Sequence, residues 1–184
     1  MTEIKVIVER GNELSEKSMK ETNDLWENVF SSPRTTKAVN PSNIKTFIND
    51  TFFIVKDKNE KVLSAGRLRP VEINFLGKTY LIQGIADIAS AVQGKGNGKA
   101  LMTAMRNYLK EKNQLGLGFC KRKNSLFYKK CGYEIAPDSV KRFVYKHPEK
   151  KLHDVDVLFF NDNGFMKAVL ENPKETVFIP VPHW

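Results

Sequence analysis

Six residues near the middle of the chain carry the strongest chemical signal. Gln93-Gly94-Lys95-Gly96-Asn97-Gly98 places glycines at alternate positions, after an apolar run ending near Ser90 and just before a stretch of helical periodicity. A turn that leads from a strand into a helix in this way aims several backbone N–H groups at one point, and the positive end of the helix dipole reinforces them. A Cβ would block the close approach of an anion, so glycine is what a phosphate or pyrophosphate cradle requires. Spacing excludes two phosphate-binding patterns. A Walker A loop has four residues between its glycines and a Ser or Thr after its Lys. Here three residues separate Gly94 from Gly98, and Ala100 follows Lys99. A GxGxxG dinucleotide fingerprint meets Lys99 at its third site when counted from Gly94, and Leu101 when counted from Gly96.

The elements around this turn follow from hydrophobic period. Ile4, Val6 and Val8 alternate with polar residues, which predicts a first strand burying that face. Leu14 to about Phe30 has helical spacing, with Met19, Leu25, Trp26, Val29 and Phe30 as its apolar members. A short second helix is expected near Asn43–Ile48. Thr51–Val55 and Lys61–Ile73 read as strands separated by Asp57-Lys58-Asn59-Glu60, and Leu76-Gly77-Lys78 marks a second tight turn. Thr79–Ser90 is the strand that enters the glycine turn. The helix after it carries one apolar stripe of Ala100, Leu101, Ala104, Met105, Tyr108 and Leu109. Leu115–Cys120 is a short strand, Asn124–Lys130 one or two helical turns, and Tyr133–Ile135, Val140–Tyr145, Asp154–Phe160 and Val177–Ile179 are further strands. The order predicts a mixed sheet with helices on its faces.

The glycine turn fits a third pattern, Q/R-x-x-G-x-G/A. Ile88 stands five residues before Gln93, and Lys99-Ala100-Leu101-Met102 opens the helix. Further on comes Asn124-Ser125-Leu126-Phe127-Tyr128-Lys129-Lys130-Cys131-Gly132-Tyr133, close to a second signature written lYeklGF. With both motifs in order, the sequence resembles the GCN5-related N-acetyltransferases, the GNAT superfamily, over about residues 79–135. The resemblance implies an α/β (mixed α+β) acyl-CoA N-acyltransferase fold: a central, mostly antiparallel sheet with a splayed parallel strand pair, helices on both faces, and residues 1–184 forming one domain. It implies acetyl-CoA as co-substrate and no metal.

Residue by residue, the resemblance places the splay at the strands ending at Ser90 and Cys120. Backbone groups of Ile88 and Ser90 would pair with the pantetheine amides. Gln93, Gly94, Lys95, Gly96, Asn97, Gly98 and Lys99 would hold the pyrophosphate, and Asn124 and Phe127 would flank the arm. The splay needs a bulge, which Gly84 or Ala89-Ser90-Ala91 could supply. Gln93 stands where Arg is more frequent in the family, and Ala89-Ser90-Ala91 where many members have a Pro. Tyr128 falls on the motif tyrosine that protonates the departing thiolate; the alternative is a tyrosine packed beside Phe127 and Tyr133. Asp87, the only carboxylate between Glu72 and Glu111, could take the amine's proton directly or through water, or equally could cap a bulge. Glu72, His183 and the carboxylate of Trp184 are remoter options for the base.

Composition bounds the remaining classes. With 184 residues, 41% hydrophobic and 28% charged, the chain is long enough to bury a core without metal or disulfide. Cys120 and Cys131 form no framework and read as packing residues. No apolar stretch reaches the roughly 20 residues of a membrane span, and Met1–Lys5 does not begin a signal peptide; a cytoplasmic location and no membrane partner are expected. The net charge of +9 lies in the middle of the chain: residues 95–151 hold 15 basic and 4 acidic side chains. Lys95, Lys99, Lys121-Arg122-Lys123 and Lys129-Lys130 could meet the coenzyme's 3′-phosphate, and most of them are otherwise a solvated face. Nucleic acid is an unlikely partner, since the segment lacks interleaved aromatics or a binding motif.

The expected activity is direct acetyl transfer to the primary amine of a small molecule. The carboxylates Asp154, Asp156, Asp162, Glu171 and Glu175 suggest a cationic acceptor of polyamine or aminoglycoside type. Alternatives are a protein or peptide amine, an acyl-CoA binder without turnover, and a nucleic-acid binder. Monomer and homodimer both stay open.

Overall fold

A computed structural model describes residues 3–30, 47–145 and 154–181. The elements are β1 (Ile4–Arg10), α1 (Glu16–Phe30), β2 (Thr51–Asp57), β3 (Val62–Phe75), β4 (Lys78–Ser90), α2 (Asn97–Glu111), β5 (Leu115–Lys121), α3 (Ser125–Lys130), β6 (Glu134–Ala136), β7 (Phe143–Val144), β8 (Val155–Phe160), α4 (Phe165–Glu171) and β9 (Val177–Phe178). Seven strands form one sheet in the order β1-β2-β3-β4-β5-β8-β6, and β7 and β9 form a separate parallel pair. Antiparallel pairing predominates: β1 with β2, β2 with β3, β5 with β8 and β6 with β8. The exception is β4 with β5, which is parallel. The expected mixed α/β fold with a mostly antiparallel sheet is therefore observed. The short helix expected near Asn43–Ile48 lies largely outside the described residues.

By contact density the chain divides into two compact units, Met1–Arg69 with Ala86–Met105, and Pro70–Ile85 with Arg106–Trp184. β3, β4 and α2 run through both. In the first unit, Ser15 starts α1: its Oγ accepts the backbone N–H of Ser18 at 3.2 Å, an N-cap bond. Met19, Leu25 and Trp26 of the helix pack with Phe47, Phe52, Ile54, Ala65 and Ala89. β1 corrects the sequence reading. Ile4, Val6 and Val8 are 37%, 37% and 44% exposed, whereas Ile7, in the opposite phase, packs against this cluster. β1 is an edge strand, and only the face carrying Ile7 meets the core, so apolar alternation identified the strand but assigned the wrong side.

The second unit has its own core, in which Ile73, Phe75, Tyr80, Ile82, Leu115, Leu117, Val157 and Phe165 participate. The hairpin into β4 is a two-residue loop, Leu76-Gly77, with φ of +50° and +74°, the left-handed pair that matches strand twist. The parallel ladder is short: it runs from Ile82↔Leu115 to Ile85↔Gly118. A Cβ on Gly118 would lie 3.0 Å from the Ile85 carbonyl and 3.1 Å from its Cβ, so the absent side chain permits the close approach at the ladder's last step.

Two other expectations are corrected in this unit. Val140–Tyr145 is not a full strand: a 3-10 turn occupies Ser139–Arg142, entered through Asp138 at φ +59°, and only Phe143–Val144 pair. The helix α4 was not anticipated. Its first turn is held by Asp162, whose two carboxylate oxygens accept the N–H groups of Met166 (2.9 Å) and Lys167 (3.0 Å). Arg142 closes its other end by donating to the carbonyls of Val169 and Asn172.

Candidate active site

The glycine turn belongs to the first unit, and its backbone has the form the sequence demanded. Gly94 and Gly96 have φ of +77° and +83°, and a Cβ at either would meet nothing within 4 Å. Their glycine character therefore serves backbone conformation and open space, not internal packing. Alternation of left-handed residues with ordinary ones makes a concavity of N–H groups. Gly96 is also the N-cap of α2: its carbonyl accepts the N–H of Ala100 at 2.9 Å. The N–H groups of Asn97, Gly98 and Lys99 precede that first intrahelical bond. Gln93, Lys95 and Lys99 are exposed, and Asn97 is buried. Beyond the turn, Leu101, Met102 and Met105 are fully buried; Met102 joins the anticipated stripe, while Ala100 and Ala104 are only half-buried.

One residue of the strand feeding this turn leaves the extended conformation. Asp87 has φ +53° within β4, a left-handed conformation that is uncommon in a strand and that Asp tolerates better than most residues. Neither Gly84 nor Ala89-Ser90-Ala91, where the sequence reading placed a bulge, has a positive φ; Asp87 does. Past it, Ala91 N–H donates to the Leu63 carbonyl at 2.9 Å, and Ser64 Oγ donates to the Ala89 carbonyl at 2.6 Å. Residues 89 and 91 therefore face β3. By the two-residue alternation of a strand, the backbone groups of Ile88 and Ser90 point to the opposite edge.

Asp87 belongs to an ion network that no sequence motif announced. Arg67 Nε donates to Asp87 Oδ2 at 2.6 Å, and Arg67 Nη1 donates to Asp50 Oδ2. Arg69 Nε reaches the same Asp50 oxygen at 3.4 Å. The Arg67 guanidinium lies over the Phe47 ring, 4.3 Å from its centroid, with that of Arg69 at 5.3 Å. Asp50 and Arg67 are 3% and 5% exposed. Burial raises the Asp50 carboxyl above its usual range, against the opposing pull of Arg67 and Arg69. Burial lowers the Arg69 guanidinium, with like-charged Arg67 adding to the effect.

The second unit holds the other motif. A 3-10 turn at Arg122–Asn124 leads into the six-residue α3. The turn is clamped: Arg122 donates to Asp138 at 2.6 Å and to buried Asp156 at 3.3 Å, and Ser125 Oγ donates to the other Asp156 oxygen at 2.7 Å. α3 ends in a left-handed glycine. Tyr133 N–H bonds the Tyr128 carbonyl and Gly132 N–H bonds the Lys129 carbonyl, with Gly132 at φ +86°. A Cβ there would also strike Arg106, which donates to the Cys131 carbonyl at 3.0 Å.

This turn carries Asn124 and Phe127 exposed and Tyr128 buried, its ring edge-on to Phe127 at 5.1 Å. Tyr128 Oη makes no hydrogen bond to any described residue. Burial, with small additions from Cys120 and Cys131, pushes the phenol well above its ordinary range, so it holds its proton at all physiological pH. Cys120 and Cys131 are buried and in no disulfide; burial raises the Cys120 thiol too, which makes it inert as a nucleophile.

The remaining candidates fare unequally. Of the carboxylates read as a wall for a cationic acceptor, Asp156 is buried in the Arg122–Ser125 clamp and Asp162 caps α4. His183 and Trp184 lie outside the described residues. A cavity of about 410 Å³ in the second unit is lined by Lys78, Thr79, Tyr80, Gln83, Gln114 and Asn163, among others. None of the predicted site residues borders it.

Comparison with known proteins identifies the family. A model of the acetyltransferase (GNAT) domain matches residues 11–136. The chain belongs to the GNAT family. Among solved structures, the GNAT family N-acetyltransferase YhbS of Escherichia coli, crystallised with CoA, aligns with a TM-score of 0.66 at 15% identity, covering 98% of this chain and 91% of that one. Escherichia coli ElaA aligns at 0.59 and 12%, covering 85% and 99%. A probable N-acyltransferase from Enterococcus faecalis V583 aligns at 0.57 and 23%, covering 72% of this chain. The chain spans 33% of the length of that protein, and 33% of a GCN5-related N-acetyltransferase from Kribbella flavida. At these identities the likeness is one of fold. No curated protein matches the sequence. No helix among the described residues is long and apolar enough to cross a membrane.

Proposed function

We propose that this GNAT chain is an acetyl-CoA-dependent N-acetyltransferase that passes the acetyl group directly to the primary amine of a small molecule. The observation that carries the reading is the turn at Gly94 and Gly96: two left-handed glycines with open space where a Cβ would stand, set against the N-terminus of a fifteen-residue helix. That cradle suits a pyrophosphate. Acetyl-CoA supplies a thioester carbonyl that an amine can attack.

The chain's own groups divide the remaining work. Backbone N–H groups of Gly94 to Lys99 hold the pyrophosphate, with Lys95 and Lys99 adding charge. Ile88 and Ser90 offer their outward backbone groups to the pantetheine amides. Asn124 and Phe127 serve the arm from the second motif. Tyr128, kept protonated by burial, donates to sulfur as the thiolate leaves. Asp87 takes the amine's proton through its second oxygen, directly or through water, while Arg67 fixes the first.

The test is amine-dependent thiol release from acetyl-CoA by the whole chain. The panel holds polyamines, aminoglycosides, free amino acids and a lysine-containing peptide, with products weighed by mass spectrometry. The expected result is acetylation of at least one small amine. Acetylation of the peptide alone would move the acceptor to proteins, and acetyl-CoA binding with no transfer would leave a binder without turnover.

A further inference from the structure

The Asp50–Arg67–Arg69–Asp87 network leaves two of its charged groups incompletely used. Arg67 bridges two carboxylates, Asp87 through Nε and Asp50 through Nη1. Arg69 is held more loosely: its one polar contact among the described residues is Nε to Asp50 Oδ2 at 3.4 Å, the outer limit of a hydrogen bond, to an oxygen that Arg67 already occupies. The two terminal nitrogens of Arg69 bond to no described residue, although the side chain is only 19% exposed. Asp87 is in the same position with opposite sign. Arg67 takes Oδ2, Oδ1 has no partner among the described residues, and the side chain is 15% exposed.

A guanidinium fork and a carboxylate oxygen, each mostly desolvated and each with unused hydrogen-bonding capacity, therefore sit on one network. They do not bond to each other, although Asp87 is near enough for its charge to act on Arg69. Both side chains keep a little exposure, so water can reach them, and a ligand of opposite sign that displaced it would gain charge-assisted bonds, the strong kind. The planar fork of arginine matches a carboxylate in two-point contact.

We infer that the acceptor is a zwitterion, an amine that also carries a carboxylate, with its ammonium at Asp87 Oδ1 and its carboxylate on the terminal nitrogens of Arg69. This deepens the transferase reading and rests on it for the identity of the ligand as an acceptor. The site accounts for the positive φ at Asp87, which aims the carboxylate at a fixed place. It also replaces the cationic acceptor suggested by the charge of the C-terminal segment, two of whose carboxylates are engaged in structure. A polyamine would bring a second positive charge to Arg69, and an amine without a carboxylate would leave the fork unpaired.

Binding is measured independently of turnover, by thermal midpoints of the whole chain, wild type and Arg69→Gln. The probes are the twenty free α-amino acids, β-alanine and γ-aminobutyrate, and the carboxamides of each, with and without CoA. The expected result is that at least one free amino acid raises the wild-type midpoint by a few degrees, that its carboxamide raises it far less, and that R69Q removes the difference while keeping its response to CoA. Arg69→Lys, which retains the charge but not the fork, should keep only part of the rise, and guards against a folding defect in R69Q. No response to any amino acid, an equal response to the carboxamide, or an unchanged response in R69Q overturns the inference. A response to amino acids without any response to CoA would instead sustain the zwitterion site and defeat the transferase reading.

Discussion

Replacing Tyr128 by phenylalanine is expected to lower kcat by about 10²–10⁴-fold while leaving the KM for acetyl-CoA close to the wild-type value. The ring packs edge-on to Phe127 and is buried, so the substitution removes one oxygen atom and keeps the packing. Only a role in the transition state loses rate on that change. Burial supplies the second part of the prediction. Because the phenol is held above its ordinary range, it keeps its proton where a surface tyrosine, with a pKa of about 10, would lose it. The kcat profile should therefore show no alkaline fall attributable to Tyr128 up to about pH 10. A raised phenol pKa also makes Tyr128 a weaker acid than a thiol, so its contribution is a strong hydrogen bond to the departing sulfur and not a complete prior transfer. A Y128F enzyme with wild-type kcat would return the residue to the packing role its neighbours permit.

The largest effect on stability is expected at Arg67. Substitution by methionine keeps an aliphatic side chain at the position but removes the guanidinium that lies over Phe47 and leaves Asp50 buried without its main partner. Removing one member of a buried pair costs about 3–5 kcal/mol, which would lower the midpoint by roughly 6–20 °C at about 2–4 °C per kcal/mol, the range that suits a chain of this length. The sign of the pH dependence separates this from a packing defect. Asp50 already has its folded-state carboxyl raised by burial, so the folded state binds its proton more tightly than the unfolded state does. Stability from this group is therefore lost as pH rises through the window above 3.8 and regained as pH falls. Without Arg67 the window extends further upward. R67M should gain stability on mild acidification from neutrality relative to wild type, and Asp50→Asn in the same background should remove that gain. An R67M variant as stable as wild type, or one whose deficit does not change with pH, would contradict the network as described. Asp87 also loses its anchor in R67M, so kcat/KM should fall even at temperatures where the variant stays folded.

These two residues mark the boundary of what the sequence discloses. Tyr128 and the glycine turn were legible because local backbone geometry writes itself into residue type. Gly94 and Gly96 must be left-handed, Gly132 must end α3 within reach of Arg106, and the helix after the turn must repeat its apolar residues at helical spacing. Arg67, Arg69 and Asp50 could not be found this way. Arg67 and Arg69 lie on β3 and Asp50 just before β2, with no spacing rule that links Asp50 to the two arginines, and only the pairing of β2 with β3 brings them together. Asp87 is a lone carboxylate in the sequence, but its left-handed φ within β4 and its bond to Arg67 are visible only in the structure. The same limit explains β1. Its alternation of Ile4, Val6 and Val8 identifies a strand, yet which face meets the core is decided by where α1 packs. The helix α4 was missed because seven residues are too few for a periodic signal, and its stop and start lie in side chains, Asp162 and Arg142, that are remote from or outside its own span.

Whether the turn at Gly94 and Gly96 holds acyl-CoA is decided by a thermal titration with acetyl-CoA. Wild type and Gly96→Val are compared, with ATP and NAD as controls. A ligand that binds only the folded state adds about 2.7 kcal/mol at 100 times its dissociation constant, a rise of several degrees. That rise is expected for wild type with acetyl-CoA and not with the controls. A much smaller one is expected for G96V, because a β-branched residue cannot hold the φ of +83° found at Gly96. No rise for wild type at millimolar acetyl-CoA, or the same rise in a folded G96V, would contradict acyl-CoA binding at this turn.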